Sequence, residues 1–335
     1  MAFRKICVIH LNQIGDLVFS LPLLKALKEN SPTPTVHSVI RPHLKDLLIR
    51  SPYVDHVLYR ERGIKNKLGF LRELRRNRYD LLITLSRAEG SLLLAAFSRA
   101  RVKAGFRNPP WDLGLHVKEA MEGPPSLYNN LRLLKRLNIE VKKKDYVNLL
   151  PLPSESHRSD GREKYVVISA GTSSRRRIKE WEEERFGDLI LQLSERFNLQ
   201  PVLVGGEESK AVNEKIIQRV KEKEGDRSVG PIENLAGKTS LIDLCHLLKR
   251  ASLFVGVDSG VMHLASAFDI PVVGIFGPTD PSYIGPQNSR SRVVRAEEME
   301  CVPCDLKGCE ERECMKKLDV QKVFDACEEL LSKRT

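Results

Sequence analysis

The stretch LFVGVDSGVMHLASAFDIPVVGIFGPTDP, residues 253–281, decides the fold. Leu253–Val257 reads as a buried strand that stops at Asp258. Ser259 and Gly260 open a helix over Gly260–Phe268. Pro271–Phe276 is a second strand, ending in the loop Gly277-Pro278-Thr279. Continuous apolar strands alternating with helices belong to a parallel sheet covered on both faces. A helix mouth carrying Ser259 and Gly260 is an anion site, because its first N–H groups and its dipole point at the ligand. His263, one turn inside, either donates to the same anion or is a satisfied core histidine. Asp258 would repel a phosphate, so sugar hydroxyls suit it better.

Upstream, the same alternation gives strands at Tyr165–Ser169 and Pro201–Val204, with helices at Glu182–Phe197, Glu208–Lys223 and Leu241–Ala251. Leu318–Leu331 closes the chain as an amphipathic helix. The segment SAGTSSRRRIKEW, 169–181, runs from a strand end into small hydroxyl residues and then Arg175, Arg176, Arg177 and Lys179. Such a loop can cradle phosphate oxygens while a cation neutralises them. The competing reading is a solvated basic loop.

Residues 148–163, NLLPLPSESHRSDGRE, break the pattern with prolines, serines and a glycine and read as a linker. Before it stands a first α/β half. Strands are expected at Lys5–His10, Val36–Ile40, His56–Tyr59 and Tyr79–Leu85, and helices at Asp16–Asn30 and Ile64–Arg78. In HLNQIGDLVFSLPLLKAL, 10–27, Asp16 follows a strand-end loop. It is either a catalytic carboxylate or the cap of the next helix.

The 335 residues fit two domains. The formal net charge of +11 is uneven. Residues 1–150 hold 27 Lys and Arg against 13 Asp and Glu, so the basic character lies in the first half. That asymmetry points to an anionic partner such as a phosphorylated substrate, nucleic acid or anionic membrane, or to a solvated basic face. No apolar run approaches the ~20 residues of a membrane span. The first residues lack a signal-peptide pattern, so a cytoplasmic protein is expected, with a place on a membrane surface still open.

Several signals are missing. No GxGxxG occurs. AGKTS, 236–240, looks like the end of a P-loop, but Ile232 stands where that motif needs glycine. Thr239 or Ser240 therefore reads as a helix cap. No His-x-Glu or Asp-x-Asp pattern suggests a catalytic divalent metal. Cys301, Cys304, Cys309 and Cys314, spaced C-x2-C-x4-C-x4-C, suit a closed, structural zinc or iron site. Reduced free thiols and two disulfides are the alternatives.

Together these segments resemble glycosyltransferase family 9, the ADP-heptose:lipopolysaccharide heptosyltransferases. The resemblance rests on Ile14-Gly15-Asp16, Gly171-Thr172 with Lys179-x-Trp181, D-S-G-x-x-H-L-A-x-A at 258–267 and F-G-P-T-D-P at 276–281. It implies a GT-B fold: two facing Rossmann-like, doubly wound domains, 1–155 for the acceptor and 156–335 for the nucleotide-sugar, with a cleft between them. It implies inverting transfer of a heptose from ADP-heptose to the lipopolysaccharide inner core, with no catalytic cofactor.

The roles implied are Asp16 as general base and Lys179 at the departing diphosphate. Thr172, Ser173, Ser259, Gly260 and His263 fall around the donor phosphates, and Asp258 at the donor sugar. Glu208, in preference to Glu207, falls at the ribose, and Thr239 near the adenine. Ser173 stands where the family commonly has a second Thr. Several members share a cysteine-rich segment. The partners implied are the nucleotide-sugar, an anionic lipid-linked saccharide and the inner-membrane surface, not nucleic acid. The alternatives are a sugar-nucleotide epimerase of the same fold and a non-catalytic anionic-lipid or nucleic-acid binder. A stacking platform for the latter is poorly supported, because the basic helix at 64–78 carries only Phe70 as an aromatic.

Overall fold

Two six-stranded parallel sheets, one in each half of the chain, organise the protein. The computed structural model describes residues 3–30, 34–61, 63–123, 126–152, 164–172, 177–225, 229–296, 299–304 and 309–332. Contacts divide the chain into Met1–Pro153 and Ser154–Thr335. Residues 153–163 of the sequence-predicted linker lie outside the described residues.

The first unit runs β1 (Lys5–Ile9), α1 (Ile14–Phe19), α2 (Leu21–Glu29), β2 (Thr35–Ile40), α3 (Lys45–Leu48), β3 (His56–Tyr59), α4 (Ile64–Asn77), β4 (Leu81–Thr84), α5 (Glu89–Phe97), β5 (Val102–Phe106), β6 (Val117–Glu119) and α6 (Ser126–Arg136). A 3-10 turn, Trp111–Gly114, joins β5 to β6. The strand order is β3-β2-β1-β4-β5-β6, all parallel. Every residue of β4 is buried, so the strand carries no polar alternation. One core gathers Cys7, Ile9, Val39, Leu82, Leu92 and Ala95 with Phe70 and Leu74 of α4.

The second unit runs β7 (Tyr165–Ser169), α7 (Glu183–Phe197), β8 (Gln200–Leu203), α8 (Lys210–Glu224), β9 (Glu233–Asn234), α9 (Leu241–Arg250), β10 (Leu253–Val257), α10 (Gly260–Ala267), β11 (Val272–Phe276), α11 (Pro281–Ile284), β12 (Ser291–Arg295), α12 (Glu313–Lys316) and α13 (Val320–Ser332). Its sheet order is β12-β11-β10-β7-β8-β9. The core draws on strands β7, β8, β10 and β11, on Phe186 and Leu189 of α7, and on Val323 and Cys327 of α13. Burying large apolar side chains such as these stabilises each by about 1.5–3 kcal/mol relative to exposure.

The sequence-predicted helix at Asp16–Asn30 is two helices. Ser20 lies between them at φ −91°, ψ −7°, and Pro22 stands in the first turn of α2, where it has no N–H to continue the ladder. The first of them starts at Ile14, two residues earlier than the pattern suggests. The helix expected from Glu208 begins as a 3-10 turn, Glu207–Ser209, before α8. Strands β5, β6, β9 and β12 and helices α3, α5, α6, α11 and α12 are additions to the elements read from sequence.

Candidate functional site

In each sheet the chain reverses its direction of growth beside the first strand: between β1 and β4 in one, between β7 and β10 in the other. Open α/β sheets bind ligands beyond the strand carboxyl ends at that point. In the second unit, the loops after β7 and β10 carry Lys179 and Asp258. These two form an ion pair, and both residues are buried. Thr279, in the loop after β11, donates its hydroxyl to Asp258 Oδ2 at 2.9 Å. A buried charge is tolerated only when paired and hydrogen-bonded, and this network meets that need.

Ser259 follows directly and is the N-cap of α10, with an extended backbone and no side-chain cap bond. Its Oγ is buried without a hydrogen-bond partner. A buried hydroxyl with nothing to bond costs free energy unless a ligand supplies the bond. Here it sits at the mouth of α10, next in the chain to Asp258, which pairs with the Lys179 ammonium. His263 is buried one turn along α10. Burial holds its pKa down at about 4, with Asp258 pulling upward and Lys179 downward, so the ring is neutral around pH 7.

The turn that presents Lys179 is held from several sides. Arg177–Lys179 is a 3-10 turn. Trp181, two residues on, is buried and donates its indole N–H to Leu318 O at 2.9 Å. The guanidinium of Arg312 donates to the carbonyls of Arg177 at 3.3 Å and Glu180 at 3.4 Å. Thr172 is buried in the loop after β7, where its N–H and hydroxyl both meet Glu180 Oε1, at 3.2 and 3.1 Å. Ser173, Arg175 and Arg176 lie outside the described residues.

The loops after β8 and β9 form the other flank. Gly171 and Gly205 both press on Ser209, and a Cβ at either would strike its side chain. Gly205 also has φ +152°, which favours glycine. The exposed Glu208 carboxylate folds back over Gly206, whereas Glu207 pairs with Lys210 at 2.5 Å. Gly237 N donates to Gly205 O at 3.0 Å, tying the turn before Thr239 to this flank. Ser240, not Thr239, is the cap of α9: it forms a capping box with Asp243. That leaves Thr239 half-buried beside the turn with no capping task. Loops at the carboxyl edge of one sheet thus hold Thr172, Lys179, Glu208, Thr239, Asp258 and Ser259, and the first turn of α10 adds Gly260 and His263.

In the first unit Asp16 lies in the first turn of α1, where Gln13 occupies the cap position. It is half-buried, one loop beyond β1 and therefore at that sheet's switch point. Asp16 is therefore not at the cap position itself but three residues into the helix mouth. Just before it, His10 is buried between the hydroxyls of Ser20 at 2.9 Å and Ser38 at 3.2 Å. Burial lowers its pKa to about 3, which makes it a neutral, structural residue.

The four clustered cysteines are free thiols, from exposed Cys301 to buried Cys314. Among the described residues, no group of three or more His, Cys, Asp or Glu is arranged to hold a metal ion. They are nevertheless neighbours. The Cys314 thiol is pushed up first by burial and then by the charges of Cys304, Cys301 and Cys309. Arg312 N–H points at Cys309 Sγ at 3.4 Å. Cys304 N donates to Pro278 O at 2.7 Å. Gly277 faces Met315 and Cys314 so closely that a Cβ there would clash. The segment therefore rests on the loop that presents Thr279, while its Arg312 holds the turn that presents Lys179. Sequence reading missed Arg312, because 135 residues separate it from Arg177 and no motif marks it. Thr279 had a signal in its FGPT loop.

The family model described as glycosyltransferase family 9 (heptosyltransferase) matches residues 68–315. Lipopolysaccharide heptosyltransferase 3 of Escherichia coli K12 is 29% identical over 294 residues, which covers 79% of this chain and 80% of that protein. The solved structure of Escherichia coli ADP-heptose lps heptosyltransferase II superposes with a TM-score of 0.80 at 22% identity, over 98% of this chain and 99% of that one. Escherichia coli heptosyltransferase WaaC with ADP gives 0.75 at 22% identity, over 97% and 99%. The two-unit α/β fold, of the GT-B type, is common to them.

Proposed function

The chain belongs to glycosyltransferase family 9 and is a glycosyltransferase, and from that premise we propose that it moves a heptose from ADP-heptose to the inner core of lipopolysaccharide. The observation that carries this reading is the unpartnered, buried Ser259 Oγ at the mouth of α10, beside the Lys179–Asp258–Thr279 network. A diphosphate fits there: it accepts from the hydroxyl and from the helix N–H groups, and the ammonium offsets its charge. The relative with the solved structure named for ADP supports adenine as the base. Glu208 and Thr239, on the flank after β8 and β9, then take the ribose and the adenine, Asp258 takes sugar hydroxyls, and His263 donates to a phosphate oxygen as a neutral ring.

The reaction is a single displacement. Asp16 accepts the proton as an acceptor hydroxyl attacks the anomeric carbon. The bond from that carbon to the diphosphate oxygen breaks, ADP leaves with the electron pair, and the anomeric configuration inverts. A positioned base contributes roughly 10²–10⁴-fold. Preorganised donors at the leaving diphosphate contribute through charge that grows only in the transition state. The acceptor is an anionic, lipid-linked saccharide bound by the basic first unit. The enzyme works at the cytoplasmic face of the membrane. Among the described residues no helix is long and apolar enough to span it.

We also propose that the four cysteines hold one structural zinc, or iron. Four thiolates at this spacing are a suitable donor set, and the mutual influence of their charges at Cys314 supports the grouping. Elemental analysis of chelator-free protein then finds close to one metal per chain, and Cys304→Ser lowers the melting temperature before it alters KM. Four titratable thiols without metal contradict it.

Incubation of the protein with ADP-heptose, with and without a lipid-linked core acceptor, tests the principal reading. Release of ADP that depends on acceptor supports transfer. Conversion of the donor sugar without acceptor supports an epimerase instead.

A further inference from the structure

We infer that the surface made by α5 and the Trp111–Gly114 turn docks onto an anionic bilayer; this rests on the reading that the acceptor is lipid-linked. Soluble surfaces scatter single apolar residues, whereas contiguous apolar area marks an interaction site. Here Leu93 and Phe97 are 39% and 54% exposed, and Trp111 and Leu113 are 37% and 78% exposed. Leu93, Ala96 and Phe97 share one helix face by their spacing of three and four. Gly114 packs directly on Ala96, so that a Cβ there would clash. The turn therefore lies against the same face, and its Trp111 and Leu113 extend the apolar surface of α5.

The rim is positive, and part of it is held in place. Arg75 Nε donates to Phe97 O at 2.8 Å, and Lys103 Nζ donates to Ala96 O at 2.7 Å, so two cations sit at the last turn of α5. At the other end of α5, Lys67 Nζ reaches to 4.0 Å from the Cβ position of Gly90. Residues 87–107 contain Arg87, Arg99, Arg101, Lys103 and Arg107 against Glu89 alone.

Apolar side chains that include a tryptophan, ringed by cations, match an interface where the former enter the acyl boundary and the latter meet anionic headgroups. A second copy of this chain fits poorly. A two-fold contact would set the same positive rim against itself.

Cosedimentation with vesicles of phosphatidylglycerol, and separately of phosphatidylcholine, tests the surface. ADP binding and melting temperature are recorded on the same preparations. The wild type sediments with phosphatidylglycerol and not with phosphatidylcholine. Leu113→Asp, at a position too exposed to matter for folding, lowers the bound fraction about tenfold or more, and so does Lys67→Glu with Arg75→Glu, the exposed cations at the two ends of α5. Both variants keep wild-type ADP binding.

Equal sedimentation of wild type and Leu113→Asp overturns the inference, as does equal affinity for the two lipids. A concentration-dependent dimer abolished by Leu113→Asp assigns the face to a second copy and overturns it too. A wild type that binds vesicles as stated but no ADP strikes the proposed function and leaves the docking surface standing.

Discussion

Lys179 and Asp258 meet as a buried ion pair across the β7–β10 switch point, although 79 residues separate them in sequence. Two charges out of water are held there by each other and by Thr279. Removing one partner leaves the other buried and uncompensated, which typically costs about 3–5 kcal/mol. Lys179→Met therefore lowers the melting temperature. Lys179→Met with Asp258→Leu regains much of it, because the orphan charge is gone. Neither restores ADP binding. Thermal denaturation and calorimetric titration of both variants read the two effects separately, and a double variant that binds ADP normally contradicts the assignment.

Ser259→Ala gives the opposite pattern. The hydroxyl caps nothing and bonds to nothing within the protein, so stability is unchanged or slightly raised. A hydrogen bond to a charged ligand is worth about 1.5–3 kcal/mol, so the ADP dissociation constant rises at least about tenfold. A loss of melting temperature with unchanged ADP affinity gives the hydroxyl a structural role.

Asp16→Asn keeps the size and the helix position of the side chain but removes its basicity near neutral pH. Transfer falls at least about a hundredfold while ADP binding stays close to wild type. Retention of more than about a tenth of the turnover rules out a general base at this position.

Acid weakens the fold through its buried histidines. The pKa values of His10 and His263 lie at about 3 and about 4 in the folded chain, below the ordinary 6.5, because burial disfavours the charged ring. Between those values the unfolded chain binds more protons. Stability is thus fully present above about pH 6.5 and is lost as the pH falls toward 4. Each such histidine contributes a slope of up to about 1.4 kcal/mol per pH unit. Melting temperatures from pH 7 to pH 4 show the decline, and His10→Asn, which cannot take up a proton, makes it shallower. A flat profile in the wild type contradicts the neutral, buried assignment.

The strands most legible in the sequence were those buried on both faces. Leu253–Val257 is continuous, apolar and bounded by Asp258, and its limits match the structure. Strand β9 has two residues, Glu233 and Asn234, and no periodicity to find. Strand β12, Ser291–Arg295, is an edge strand whose arginines hide it. Candidate site residues were legible wherever a motif sat at a strand end, as with Ser259. The ion pair between Lys179 and Asp258 is not legible, since the motif around each points to a ligand rather than to the other. Nor is the commitment of Thr172 to Glu180, because contacts of side chains across loops leave no trace in spacing. Arg312 shows the same limit: its partners are backbone carbonyls, and any residue supplies those.

Mass spectrometry of the lipid-linked acceptor after incubation with ADP-heptose and purified protein tests the central claim most directly. The account predicts that the acceptor gains the mass of one heptosyl unit, that ADP appears in equal amount, and that neither occurs with Asp16→Asn. Loss of ADP-heptose with no gain of mass in the acceptor, or an acceptor-independent change in the sugar itself, would contradict it.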